Sequence, residues 1–223
     1  MPTLFTILVV SYLLGSIPNS VIAGRVRGID LHKMGSGNAG TANVFRALGK
    51  GAGTLVFVGD VLKGLLATVV VSELRLGDGL PAWLGPDSDA WIRVFAGSAA
   101  ILGHVYTLIG RYFYGTFRGG KGVATGLGML LGLIPVAIGV AIVIFAVLVY
   151  TTRFVSLGSI LSTLSLPFSL LVQRGPIGWD IPGPIFGFTL VVPLFILYTH
   201  RANVKRLLAG TERQIEKRTE VVS

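Results

Sequence analysis

The chain has 223 residues, of which 52% are hydrophobic and only 13% charged, where an ordinary soluble domain carries about 25% charged residues. It has no cysteine, which excludes disulfides and thiolate catalysis. Its net charge of +9 comes with a mean hydropathy of +0.76, which excludes a soluble fold with a basic nucleic-acid-binding face. The composition is that of an all-α, polytopic membrane protein, with residues 1–223 forming a single domain.

Apolar stretches recur at residues 3–24, 51–74, 91–110, 123–134, 135–151, 155–173 and 183–199. A helix of about 20 residues crosses a hydrocarbon core of about 30 Å. The first stretch has no basic residue before it and no small-residue cleavage site after it, so it is expected to be retained. The fourth and fifth stretches meet at Pro135. Proline removes a backbone donor and clashes with the preceding turn. The sequence therefore predicts a break there, with one or two short helices whose ends must be buried by protein.

Charge sets the orientation. Seven crossings put fifteen Lys and Arg on one side, leaving only Arg75, Arg93 and Arg174 on the other and Lys63 inside a span. A single crossing over 123–151 would send Arg153 and the C-terminal tail across and weaken this asymmetry. Basic loops mark the cytoplasmic side. The expectation is seven transmembrane helices, the N-terminus outside, and a short basic tail at a cytoplasmic C-terminus, partly placed to meet anionic membrane lipids. No internal repeat is evident, so an inverted-repeat transporter gains no direct support.

Three unusual polar stretches then share the cytoplasmic side. The first is Gly35-Ser36-Gly37-Asn38-Ala39-Gly40, followed by Arg46. Glycines let successive N–H groups turn toward one anion, Ser36 and Asn38 add donors, and Arg46 adds a planar fork suited to phosphate. The second is Gly115-Thr116-Phe117-Arg118-Gly119-Gly120-Lys121-Gly122. It nearly matches a nucleotide P-loop, but Gly122 stands where Ser or Thr must bind magnesium, and no strand precedes it. What survives is a glycine-rich turn, a lysine and a helix start, which together favour an anion. The third runs from Thr199 to Glu212, where His200, Asn203 and Leu207 share a helix face; a basic amphipathic end lying at the headgroups is an equal competitor. Asp60 and Lys63 sit three residues apart inside a span, where ionisable groups suggest function and a structural ion pair is the rival. His104 lies near the end of the third stretch, as an interhelical donor or a site residue, and Ser156 at a helix start, as a cap or a ligand. No His, Asp or Glu cluster has metal-ligand spacing, so no metal and no cofactor is expected.

The stretches "GSGNAGTANVFR", "FRGGKGVAT" and "HRANVKRLLAGTE" resemble the three signature motifs of the bacterial acyl-phosphate:glycerol-3-phosphate acyltransferase family. "YLLGSIP", "DVLKG" and "RFVSLGS" are similar to that family as well. The resemblance implies a seven-helix enzyme of the bacterial cytoplasmic (inner) membrane, its active site on the cytoplasmic face. It implies transfer of a fatty acyl group from acyl phosphate to the 1-hydroxyl of glycerol 3-phosphate, giving lysophosphatidic acid and phosphate. It also implies the site. Ser36, Lys121, His200 and Asn203 would act at the reacting groups. Ser36, Gly37, Asn38 and Gly40 would bind acyl phosphate, and Arg46, Lys121, Ser156, His200 and Asn203 would hold glycerol 3-phosphate. Gly35, Lys63, His104, Gly119 and Gly120 join the binding set, with Arg206 and Glu212 in support. Where the family reads Gly-Ala-Thr-Asn, this chain reads Gly40-Thr41-Ala42-Asn43.

An acyl phosphate is already an activated donor, so the protein need not supply a covalent nucleophile. It must hold two anions together, and positioning alone lowers a barrier by several kcal/mol, up to about 7–11. No Ser-His-Asp triad is evident, so direct attack is expected, with His200 or the second substrate's own phosphate as base. The partners are then the two substrates and membrane lipids, with no nucleic acid, and nothing requires more than a monomer. The rival class is a transporter or channel for phosphorylated metabolites. It would need polar groups at mid-membrane from both halves, whereas only Asp60 and Lys63 lie deep.

Overall fold

In the computed structural model, residues 1–35 and 37–215 are described. Ser36 and residues 216–223, which include Lys217 and Arg218 of the basic tail, lie outside the described residues. The elements in order are α1 (Pro2–Gly15), α2 (Asn19–Val26), α3 (Thr41–Val69), α4 (Ser88–Val105), α5 (Leu108–Tyr114), α6 (Val123–Leu133), α7 (Pro135–Thr152), α8 (Val155–Arg174), α9 (Gly183–Thr199) and α10 (Arg201–Leu208), with short 3₁₀ turns at Val71–Glu73 and Ala82–Leu84. Among the described residues the only strand-like pairing is an isolated bridge between Tyr106 and Arg118.

Four helical stretches, 2–26, 41–73, 135–152 and 155–174, are long and apolar enough to cross a membrane, and a fifth is added if α9 and α10, bent by 65°, count as one. The apolar stretches read from the sequence fall on helices with instructive differences. The first is not continuous: α1 ends at Gly15 and α2 starts at Asn19, after Pro18. The freed carbonyls are satisfied from elsewhere, Ser16 by the Thr107 hydroxyl at 2.5 Å and Ile17 by the Lys63 ammonium at 3.1 Å, as an apolar surrounding demands. The third, expected to reach residue 110, stops at Val105; the chain leaves the helix at Tyr106 and is extended at Thr107, and α5 then starts with the Thr107 hydroxyl accepting from the Gly110 N–H at 2.8 Å. Pro135 does separate α6 from α7.

Small residues let the helices approach. A Cβ at Gly64 would overlap the Thr125 carbonyl, and one at Gly128 the Val61 carbonyl, so α3 and α6 touch backbone to backbone. Such contacts replace the hydrophobic drive that is missing between helices in lipid. Met129, Leu130, Ile138, Leu166, Leu170 and Ile196 form the main core between α6, α7, α8 and α9. α7 turns Val136, Val140, Val143 and Val147 outward. One end of the bundle carries the N-terminal ammonium on Asp78 at 2.5 Å, Glu73 on Arg93 at 2.9 Å and Asp89 on Arg75 at 3.1 Å. The loops holding the three polar stretches lie at the other end.

Candidate active site

The third polar stretch folds back on itself for a local reason. α10 ends at Leu208, and Gly210 adopts a left-handed conformation (φ 67°). The Thr211 N–H reaches the Arg206 carbonyl at 2.8 Å and the Gly210 N–H the Leu207 carbonyl at 3.2 Å, the paired bonds of a Schellman turn. The turn throws Glu212 back against α10, where Arg206 Nε donates to its Oε2 at 2.7 Å. Further on, the Ile215 N–H donates to the Arg153 carbonyl at 2.9 Å, which fastens the segment beside the start of α8.

Glu212 then gathers groups from all over the chain. Its Oε1 accepts from the Ser156 hydroxyl at 2.8 Å and from Asn203 Nδ2 at 2.5 Å. Asn203 in turn accepts from the Lys121 ammonium through Oδ1 at 2.6 Å. The Thr199 hydroxyl donates to the Lys121 carbonyl at 3.1 Å, fixing the second loop to the end of α9. Arg46, near the start of α3, lies in the field of Glu212, Arg206 and Arg213.

The titration behaviour follows from this crowding. Burial pushes the Lys121 ammonium down to about 8, and the Arg206 and Arg46 cations add to the shift while Glu212 opposes it. Burial alone would raise the Glu212 carboxyl, but hydrogen bonds from Asn203, Ser156 and Arg206 more than offset it and hold the group below its ordinary value. His200 sits at the bend between α9 and α10, 3% exposed. Burial first, then the Lys121 cation, push it down to about 4, so it is neutral at pH 7. Its Nδ1 donates to the Ile196 carbonyl at 2.9 Å, leaving Nε2 as the acceptor.

The two glycine-rich loops differ in what their glycines do. In the first, Gly35 (φ 58°) and Gly37 (φ 68°) flank Ser36 in left-handed conformations. Asn43 Nδ2 donates to the Leu31 and Met34 carbonyls at 3.1 and 3.0 Å, and the Ser20 hydroxyl to the Ala39 carbonyl at 2.6 Å. A Cβ at Gly35 would overlap Asn43 Oδ1 and stand 3.5 Å from Arg213 Nη1, so this loop borders the same cationic cluster. A Cβ at Gly40 would press on Asn38 Oδ1 at 2.8 Å. Gly37 of this loop also lines a cavity of about 340 Å³, together with Arg25, His32, Thr116 and Arg118 among others. In the second loop, the Gly119 N–H is bound to the Val105 carbonyl at 3.1 Å. A Cβ on Gly119 would overlap the His104 carbonyl, and one on Gly120 the His104 ring. These glycines let the loop lie flat on His104.

Most of the site residues expected from the sequence thus fall into two groups. Arg46, Lys121, Ser156, His200, Asn203, Arg206 and Glu212 meet around one carboxylate, with Gly35 at the border through Arg213. Lys63 and His104 lie elsewhere, beside Asp60: Lys63 Nζ is 2.9 Å and His104 Nδ1 3.6 Å from Asp60 Oδ1. Arg213 and Asn43 were not singled out in the sequence, although Asn43 stands inside the first signature stretch and Arg213 directly follows Glu212. Ser36 lies outside the described residues. Chemically, the cluster presents several cations, a neutral imidazole and a hydroxyl around one carboxylate, which suits phosphate-bearing anions.

Comparison with known proteins shows the family. The family described as glycerol-3-phosphate acyltransferase matches residues 5–210. The chain is 41% identical to the glycerol-3-phosphate acyltransferase of Chlorobium phaeobacteroides, over 97% of this chain and 98% of that protein. It is 39% identical to that of Geobacter sulfurreducens, over 93% and 95%. Its fold is similar to the crystal structure of PlsY (YgiH), an integral membrane glycerol 3-phosphate acyltransferase, in the glycerol 3-phosphate form, with a TM-score of 0.80 and 36% identity over 97% of this chain and 96% of that one. The lysophosphatidic acid form of PlsY gives a TM-score of 0.78 at 35% identity, over 97% and 96%. With motifs and fold matched over nearly its whole length, the chain belongs to the glycerol-3-phosphate acyltransferase family of integral membrane enzymes.

Proposed function

We propose that the protein transfers a fatty acyl group from acyl phosphate to the 1-hydroxyl of glycerol 3-phosphate, at the cytoplasmic face of a bacterial inner membrane that its single domain crosses seven times. The observation that carries this reading is the Glu212 cluster, in which Lys121, Ser156, Asn203 and Arg206 are locked together by one carboxylate. Two anionic substrates repel each other, and a dense set of fixed cations and donors offsets that repulsion without reorganising during the reaction. The deep charges Asp60 and Lys63 are paired with each other at 2.9 Å, which removes the support that a transport reading would draw from them.

In this reading the first glycine-rich loop, Ser36 included, holds the acyl phosphate. Arg46, Lys121, Ser156, His200 and Asn203 hold glycerol 3-phosphate, and Arg206 and Glu212 keep those groups in place. The 1-hydroxyl oxygen attacks the acyl carbonyl carbon, the bond from that carbon to the phosphate oxygen breaks, and phosphate leaves with the bonding pair. The hydroxyl proton passes to His200 Nε2 or to the phosphate of glycerol 3-phosphate. No acyl-enzyme forms. One chain supplies every group, so a monomer suffices.

The test is direct. Purified protein in detergent, given palmitoyl phosphate and glycerol 3-phosphate, should release phosphate and lysophosphatidic acid in equal amounts, and palmitoyl-CoA should not replace the donor. Folded protein with no release above background would sink the acyl-transfer reading; equal rates with palmitoyl-CoA would sink the choice of donor.

A further inference from the structure

Asp60 lies outside the Glu212 cluster and is 1% exposed. Its carboxylate faces side chains from three helices. Oδ1 accepts from Asn19 Nδ2 of α2 at 3.0 Å, pairs with Lys63 of α3 at 2.9 Å and faces His104 Nδ1 of α4 at 3.6 Å. Oδ2 lies 3.5 Å from the hydroxyl of Thr41. Two of these partners, Asn19 and Lys63, serve the broken first span: Asn19 opens α2, and Lys63 also binds the Ile17 carbonyl at 3.1 Å.

The other two partners point to the loops. Thr41 directly follows Gly40, the end of the first glycine-rich loop. The ring of His104 is turned with Nδ1 to Asp60, while its Nε2 and Cε1 edge abuts Gly120, one residue before Lys121. The same loop is tied to the backbone beside His104 by the Gly119 N–H on the Val105 carbonyl at 3.1 Å. One carboxylate therefore touches the residue that closes the first loop and the ring on which the second loop rests. An ion pair that only joined helices would need neither contact.

We propose that Asp60 is a positioning residue for acyl transfer: by holding Thr41 and the His104 ring it fixes the two glycine-rich loops relative to each other and keeps Lys121 against Asn203. This rests on the acyltransferase reading above. The reacting groups need their geometry to within a fraction of an ångström, and a misplacement of about 1 Å costs on the order of 10²-fold.

The experiment measures kcat/KM for each substrate per folded molecule, with Tm alongside. Wild-type turnover tests acyl transfer itself, and only the variants test the brace. Asp60→Asn combined with Lys63→Met removes both buried charges together and should lower kcat/KM for glycerol 3-phosphate by roughly ten- to hundredfold. Gly120→Ala pushes the His104 ring from the other side and should reproduce the loss. Combining Gly120→Ala with the neutralised pair should cost little beyond the worse parent, because both act through one ring. His104→Gln and Thr41→Val leave the Asp60–Lys63 pair intact, which keeps the idea testable if the neutralised pair fails to fold; the first should impair use of glycerol 3-phosphate and the second use of acyl phosphate. Losses that multiply, or variants that change Tm while kcat/KM stays within about twofold of wild type, the scatter of independent sites, would overturn the proposal.

Discussion

The ammonium of Lys121 and the side-chain carbonyl of Asn203, 82 positions apart, meet at 2.6 Å. Through Asn203 the lysine is linked to Glu212, and Glu212 links to Ser156 and Arg206. In the proposed reaction a lysine held this way is a preset clamp, with its rotamer chosen before the anion binds.

That clamp titrates within reach of experiment. With burial and neighbouring cations holding Lys121 near 8, it is charged at neutral pH and loses its proton as pH rises through that value. A phosphate monoester is fully ionised there, its second pKa being about 6. The pH profile of kcat/KM, which reports the free enzyme, should therefore fall on the alkaline side from about pH 8. Lys121→Arg keeps its charge to above pH 12 and should remove that limb. An unchanged alkaline limb in Lys121→Arg would assign it to another group.

Arg46 sits in the same field as Glu212, Arg206 and Arg213. If its planar fork grips a phosphate on two edges, lysine is no substitute. Arg46→Lys should raise KM for glycerol 3-phosphate roughly ten- to a hundredfold, since a hydrogen bond to a charged group is worth about 1.5–3 kcal/mol, and at least as clearly as KM for the acyl donor. A rise confined to the acyl donor would reverse the substrate assignment.

Ser36 decides between direct attack and an acyl-enzyme. Gly35 and Gly37 on either side hold left-handed conformations, which suits a loop that turns its donors toward an anion. Ser36→Ala should slow turnover by roughly ten- to a thousandfold, the scale for losing one anion-stabilising donor. With donor alone there should be no phosphate burst and no added mass on the intact protein. An acylated Ser36 would refute direct attack and leave the acyltransferase assignment standing.

Orientation can be read with single cysteines, because the native chain contains none. Cysteine at Arg118 or Thr211, both exposed, should resist impermeant thiol reagents in intact cells, and cysteine at exposed Pro86 should label. Gly119 is unsuitable as a labelling position because any Cβ there strikes the His104 carbonyl. Labelling at Arg118 without permeabilisation would refute the seven-crossing topology.

The sequence revealed the helical membrane fold through hydropathy, the break at Pro135 through proline chemistry, and the members of the Glu212 cluster through their motifs. It did not reveal how the first and third apolar stretches end. Hydropathy is blind to a turn whose carbonyls are satisfied by partners as remote as Lys63 and Thr107. Nor did it separate two uses of glycine. Gly35 and Gly37 serve backbone conformation, while Gly119 and Gly120 make room for His104, a distinction that needs the opposing surface. Asp60 and Lys63 were legible as a pair, because their spacing puts them on one helix face, but the reach of Asp60 to Thr41 and His104 depends on how α3 and α4 pack.

The Schellman turn at Gly210 gives the enzyme a late step in its biogenesis. Lys121 leaves the ribosome well before Glu212, and in the proposed seven-crossing topology α6, α7, α8 and α9 all enter the bilayer in between. If one of those helices fails to insert, every later crossing is inverted, and Glu212 emerges on the opposite face from Lys121. Catalysis then requires the correct parity of insertion, and a chain that has miscounted its crossings is silenced without any defect in the residues that do the chemistry.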